Sequence, residues 1–259
     1  MDEWAGTFDR DPAGYAQGRP GYPPEVFEVL ETRCGLARGI DVLEIGPGTG
    51  QATRELLARG ARVHAVEPGR RLAAELQRTL GAEALTVSVS RFEDVALEAA
   101  SADLVVAATS FHWIDRERGT TKVVSTLRPG GWIALWWNVF YDPAGPDAFS
   151  RALEPLYAEL GDRESPHGGA GALDEDVWRA LLGSAGLEKI SGQRFTWSAE
   201  HSTDDVVALY ATFSGTRARP DEERARFLDG VRRTADQQFG GHLRRRYVTP
   251  LYTARKPIA

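Results

Sequence analysis

Short apolar runs alternate with amphipathic stretches through the first half of the chain. The runs are 40–45, 62–67, 85–89, 102–108 and 132–137. Runs this short, and apolar at nearly every position, fit strands covered on both faces. Between them, 50–59, 69–80 and 115–127 repeat apolar residues at helical spacing. Ahead of them, Pro23 and Pro24 can start a helix whose Val26, Phe27 and Leu30 share a face, and Gly35 can stop it. Gly130-Gly131 reads as a turn before the strand 132–137. Strands alternating with helices predict a parallel, doubly wound α/β sheet.

That rhythm breaks after residue 138. Pro143, Pro146 and Pro166 punctuate the next stretch, and Gly168-Gly169-Ala170-Gly171 is permissive backbone. Helices are expected at 147–160, 174–185, 203–213 and 220–238, an extended stretch at 187–197 and a last strand at 246–254. The expected organisation is an arm and helix over 1–38, a ligand-binding core over 39–138, a cap or lid over 139–185, and a segment completing the sheet over 186–259.

Composition narrows the class. The 259 residues carry a net charge of −6, with 42% apolar and 26% charged positions, as in ordinary globular proteins. A nucleic-acid partner would favour a basic chain, so none is expected. Neither a leader-like N-terminus nor a run of about 20 apolar residues is present, so no membrane association is expected. A single cysteine, Cys34, excludes an internal disulfide and suits a reducing cytoplasm. No His/Cys/Asp/Glu spacing suggests a metal site. From Thr212 onward, 11 basic residues face 5 acidic ones, and Arg244-Arg245-Arg246 is the densest group. It reads as a solvated face, or as a site for an anionic group.

The chemistry centres on Glu44-Ile45-Gly46-Pro47-Gly48-Thr49-Gly50. Gly46, Gly48 and Gly50 give G-x-G-x-G, whereas a dinucleotide fingerprint needs G-x-G-x-x-G and a phosphate loop needs a lysine. The loop offers bare backbone to a ligand and no cation for a phosphate. Glu44 sets a carboxylate beside it, and Glu67 ends the next run 21 positions after Gly46. A ligand with cationic groups fits better than a pyrophosphate, and S-adenosylmethionine carries a sulfonium and an ammonium.

With these residues the chain resembles the class I S-adenosylmethionine-dependent methyltransferases. The match continues through Val66-Glu67-Pro68, Asp103-Leu104-Val105-Val106 and Leu127-Arg128-Pro129-Gly130-Gly131. Tyr15, Arg19-Pro20, Tyr22-Pro23, the segment Ser110-Phe111-His112-Trp113-Ile114-Asp115, Thr212-Phe213-Ser214 and residues 247–255 resemble a bacterial small-molecule subgroup that includes sequences similar to trans-aconitate methyltransferases. The resemblance implies a Rossmann-like, seven-stranded, mostly parallel sheet with its last strand antiparallel, helices on both faces and a helical cap. It implies S-adenosylmethionine as cofactor, S-adenosylhomocysteine as product, and a monomer or homodimer acting on a small-molecule acceptor.

Site roles follow from the resemblance. Glu67, next to Pro68, would take the ribose hydroxyls and Glu44 the methionine end. Phe92 and Glu93 would meet the adenine, although a plain loop with a core Phe is an open alternative. Thr109 and Ser110 would lie beside the reacting methyl group. Tyr15 and Arg19 would close over the cofactor. Trp113, Trp137, Asn138, Phe140 and Tyr141 are the acceptor-pocket candidates, with Trp136 and Trp137 on opposite faces of the strand. His112 is the candidate base, its alternative being a hydrogen-bonded structural histidine beside Trp113. Two other readings remain open: a protein that binds the cofactor without transferring a methyl group, and an NAD-dependent dehydrogenase.

Overall fold

The computed structural model describes residues 14, 18–81, 83–140, 144–159 and 170–258. Tyr15, Tyr141 and His167 lie outside them. The seven described strands are β1 (Asp41–Ile45), β2 (Arg62–Glu67), β3 (Leu85–Val89), β4 (Ala102–Ala108), β5 (Leu127–Trp136), β6 (Glu188–Ser202) and β7 (His242–Arg255). They form one sheet in the order β3-β2-β1-β4-β5-β7-β6. β1 to β5 pair in parallel, and β7 runs antiparallel to both β5 and β6. The order reverses between β1 and β4, where an α/β sheet opens a crevice at its carboxyl ends.

Side-chain alternation divides the sheet into two cores. Val42, Val63, Leu104, Val106 and Trp136 pack under α1 (Pro24–Cys34), α2 (Gln51–Ala58) and α3 (Arg70–Leu80). Leu43, Val105, Ile133, Leu135 and Trp137 pack under α4 (Arg116–Thr126) and α7 (Glu175–Ser184). Local signals set the helix ends. The Asp115 carboxylate accepts from Arg118 N and starts α4, and Asp174 does the same for α7 through Val177 N. Gly35, at φ 74°, ends α1 with its N–H on the Leu30 carbonyl.

A third core forms above the sheet. It joins α5 (Ala148–Ala152), α6 (Glu154–Glu159), α8 (Thr203–Ala211) and α10 (Asp221–Phe239) to Leu243 of β7, with the short α9 (Ser214–Arg217) between α8 and α10. Helices from before and after β6 thus share this layer, whereas α7 covers the sheet through Trp178 and Leu182.

Several elements differ from the expected ones. The 147–160 stretch is two short helices joined at Leu153. β5 begins at Leu127 and carries Gly130 at φ 80° within it, where the Gly130 N–H bonds the Lys256 carbonyl. β6 and β7 outrun the expected 187–197 and 246–254 and pair down to Ser202 and His242. β3 is half exposed because it is an edge strand.

Candidate active site

The turn from β1 into α2 occupies the crevice. Gly46 and Gly50 both have positive φ, 65° and 91°, which favours glycine. Space enforces the same choice: a Cβ on Gly46 would meet Ser110 Cβ at 2.7 Å, and one on Gly50 would meet Leu76 and Leu80 at 2.6 and 2.7 Å. The loop therefore lies close against the end of β4 on one side and α3 on the other.

Two carboxylates flank this turn. Glu67, at the end of β2, accepts from Gly48 N at 3.0 Å and Gly69 N at 2.9 Å, one amide per oxygen. These amides orient the Glu67 carboxylate at the edge of the turn. Glu44 is fully buried; its Oε2 accepts from Thr53 Oγ1 at 2.6 Å, and its Oε1 has no hydrogen-bond partner. Burial pushes its pKa up to about 7; the Thr53 bond opposes the rise and the Glu67 charge adds to it. A half-bonded buried carboxylate is costly alone and well matched to a cation.

The loop after β3 meets this pair through Ser90 N, which donates to the Glu67 carbonyl at 3.2 Å. Phe92 is 3% exposed and belongs to the core, with the Lys122 ammonium 5.3 Å from its ring centre. Lys122 also donates to the Glu93 and Val95 carbonyls, at 3.0 and 2.6 Å. Glu93 lies 3.6 Å from Arg91. Sequence reasoning missed Lys122, because its partners are backbone atoms on another element.

Thr109 ends β4 at φ 57°, a rare conformation for a β-branched residue. Its N–H bonds the Trp136 carbonyl at 2.7 Å, and its Oγ1 lies 3.1 Å from the Tyr22 hydroxyl. Ser110 Oγ donates to the Ile45 carbonyl at 2.5 Å, stapling β4 to the glycine turn. His112 follows, its Nδ1 accepting from Trp137 Nε1 at 3.0 Å. Indole only donates, so Nδ1 is the unprotonated nitrogen and Nε2 carries the hydrogen. His112 lies exposed at the surface, yet protein crowds the side of its ring facing Trp137. Partial desolvation, then Arg19 and Arg116, push its pKa down to about 4.

A cavity of about 460 Å³, counted out to its open mouth, joins these elements. Arg19, Pro20 and Tyr22 wall one side, Gly46 and Pro47 the floor, and Thr109, Asn138 and Phe140 the far side. The Arg19 guanidinium lies 5.8 Å from the Phe140 ring centre and 5.6 Å from that of Phe213. Of the acceptor-pocket candidates, Asn138 and Phe140 line this cavity. Trp137 does not: both Trp136 and Trp137 are buried, and Trp137 stacks on Trp178 with ring centres 4.6 Å apart. Trp113 is 41% exposed and packs beside His112, also outside the cavity. Alternation splits the arginine group, with Arg244 exposed and Arg245 buried against Asp147 at 2.7 Å.

Similarity to known proteins identifies the family. Residues 43–135 match the model of a methyltransferase domain. An uncharacterised methyltransferase of Mycobacterium tuberculosis is 35% identical over 226 residues, covering 87% of this chain and 84% of that protein. The chain belongs to the class I S-adenosylmethionine-dependent methyltransferases. Among solved structures, this methyltransferase resembles a protein of Anaeromyxobacter dehalogenans described as a type II methyltransferase, with a TM-score of 0.64 and 25% identity over 93% of this chain and 98% of that one. A Haemonchus contortus phosphoethanolamine N-methyltransferase, solved with phosphomonomethylethanolamine and S-adenosylhomocysteine, shares the fold at a TM-score of 0.56 and 15% identity, over 96% of this chain and 57% of that one.

The methyltransferase's own residues fit its cofactor. The unbonded oxygen of buried Glu44 suits an ammonium, and the two carboxylate oxygens of Glu67 suit a diol. Gly46, Gly48 and Gly50 of the turn between them offer backbone without a side chain.

Proposed function

We propose that this methyltransferase methylates a small organic acceptor held in the cavity between the N-terminal arm and the exit from β5. The observation that carries this reading is the continuity of the cavity, which runs from the glycine turn to Phe140 beneath Arg19 and Tyr22. Arg19, Gly46 and Thr109 on the expected cofactor side share this lining with Asn138 and Phe140, while Glu44 and Glu67 stand behind the glycine turn, outside the lining.

S-adenosylmethionine supplies a methyl group already activated on a sulfonium. The chain's task is then to position the reactants and exclude water. Glu67, preset by Gly48 and Gly69, takes the ribose, and Glu44 takes the methionine ammonium. Arg19 faces the carboxylate end from the arm. Glu93 approaches the adenine from a loop whose Phe92 anchors it in the core. Thr109 and Ser110 bring the end of β4 against the reacting centre, and Phe140 walls the acceptor.

His112 serves as a donor in this arrangement. Trp137 occupies its Nδ1 lone pair and Nε2 holds a hydrogen, so neither nitrogen is poised to take a proton. The described residues lining the cavity include no histidine and no carboxylate. This favours an acceptor whose nucleophilic atom needs no proton removed before it attacks, such as a carboxylate, an ionised acidic phenol or a neutral amine. Incubation with methyl-labelled S-adenosylmethionine and a panel of these three classes tests the reading. Label passing to one class supports it; label confined to proteins or nucleic acids in a cell extract would overturn it.

A further inference from the structure

A directed chain of hydrogen bonds crosses the sheet toward the cavity. Trp197 Nε1, which can only donate, bonds Thr249 Oγ1 at 2.8 Å. Thr249 is fully buried, and its own hydroxyl hydrogen goes to Asn138 Oδ1 at 2.9 Å. That bond turns the amide oxygen of Asn138 toward β7 and its amino group away. Nδ2 then donates to the Gly21 carbonyl at 2.8 Å. The orientation of the amide therefore follows from the partners' chemistry, beginning with an indole that cannot accept.

Gly21 belongs to the arm that walls the cavity. The arm's earlier part is pressed on the cap layer, where a Cβ on Gly18 would lie 2.5 Å from the backbone of Ala208 in α8. Its later part is tied at Tyr22, whose hydroxyl lies 3.1 Å from Thr109 Oγ1. The Asn138 backbone N–H reaches the same Thr109 oxygen at 3.3 Å. One residue thus meets the arm directly through its side chain and indirectly through Thr109. Asn138 is 6% exposed, and both ends of its amide are engaged.

We propose that Asn138 is a positioning residue: a latch that holds arm segment 18–22 across the cavity and thereby sets the affinity for the cofactor. The proposal rests on the reading that the cofactor lies beneath this arm. Asn138→Asp keeps the shape and the bond from Thr249, but it points a carboxylate oxygen at the Gly21 carbonyl. The latch is cut on the arm side alone. Thr249→Val, at a fully buried site outside the cavity lining, removes the hydroxyl that orients the amide.

Hydrogen exchange of the full chain, read on the peptide holding residues 18–22, tests the latch without cofactor. Calorimetric titration with S-adenosylhomocysteine tests its consequence. Asn138→Asp is expected to speed exchange of the arm and raise the Kd roughly tenfold, with Thr249→Val shifting both the same way by less. Unchanged arm exchange in folded Asn138→Asp, or in folded Thr249→Val if the first variant does not fold, would overturn the latch. Faster arm exchange with an unchanged Kd would instead overturn the reading that the arm covers the cofactor.

Discussion

Single residues carry strain that the bound state can relieve. Glu44 is protonated in the folded chain up to about pH 7, whereas a carboxyl in the unfolded chain ionises near pH 4.3. Between those values the unfolded chain has lost a proton that the folded chain keeps, so stability falls as pH rises and then levels off. Glu44→Gln removes this penalty. Its Tm is expected to match the parent near pH 4 and exceed it at pH 8, while its affinity for S-adenosylmethionine falls. Thermal melts at the two pH values and one titration check both halves. Thr109 supplies a second case. Its positive φ costs on the order of 1–3 kcal/mol, so Thr109→Gly is expected to destabilise less than Thr109→Ala, although both lose the hydroxyl. Urea unfolding of the pair measures the order, and equal losses would show that the backbone is relaxed.

At the scale of elements, the cap hangs on one buried ion pair. The Asp147 carboxylate caps α5 through Ser150 N and accepts from Arg245 Nε, at 2.7 Å each. Arg245 further reaches the Tyr210 hydroxyl and Ser150 Oγ, at 3.2 Å each. Burial would raise the Asp147 pKa, but the charge and hydrogen bond of Arg245, together with the bonds from Ser150, outweigh it and hold the carboxyl below its ordinary value. Its stabilisation is therefore present above about pH 4 and is lost as pH falls through the lowered pKa. Asp147→Ala strands a buried guanidinium and is expected to cost about 3–5 kcal/mol, measurable by denaturant unfolding. Lys122 plays a smaller part, bridging α4 to the loop after β3. Lys122→Met keeps the packing and loses two bonds to carbonyls. A several-fold rise in the cofactor's Kd is expected by calorimetry, and an unchanged Kd would separate that loop from the adenine.

The same elements show what could be read in advance. β1, β2, β3 and β4 begin and end within a residue of the expected positions, because their apolar runs are local signals closed by Gly, Glu or Ser. The far halves of β6 and β7 gave no such signal. Glu200 pairs with Arg244, His201 with Leu243 and Ala199 with Arg245 across the antiparallel β6–β7 ladder, and nothing nearby in sequence marks them as strand. Trp137 carried the right alternation but not its destination, since α7, which stacks Trp178 on it, lies some 40 positions downstream. Glycine spacing and strand-end acids marked the crevice between β1 and β4. The acceptor side depends on the arm, β5 and β7 meeting, and long-range contacts of that kind leave no local pattern.

The whole molecule places this chemistry at one edge of an otherwise well-filled fold. Each face of the sheet is sealed by its own helices, and the third core sits over the open end. At the opposite end, Arg128 joins Asp41 and Asp103, at 2.9 and 2.8 Å, away from the glycine turn. Among the described residues no helix is long and apolar enough to cross a membrane, and no cluster of His, Cys, Asp and Glu has the geometry to hold a metal ion. Cys34 is buried, and burial pushes its thiol up to about 12, so it is unreactive near neutral pH. The proposed methyl transfer uses the crevice between β1 and β4 and the arm above it. A crystal structure with S-adenosylhomocysteine tests that most directly. The ribose is expected on Glu67, the amino end at Glu44, and the sulfur open to the cavity under Arg19 and Phe140. Ligand density anywhere else, or a ribose that does not touch Glu67, would contradict it.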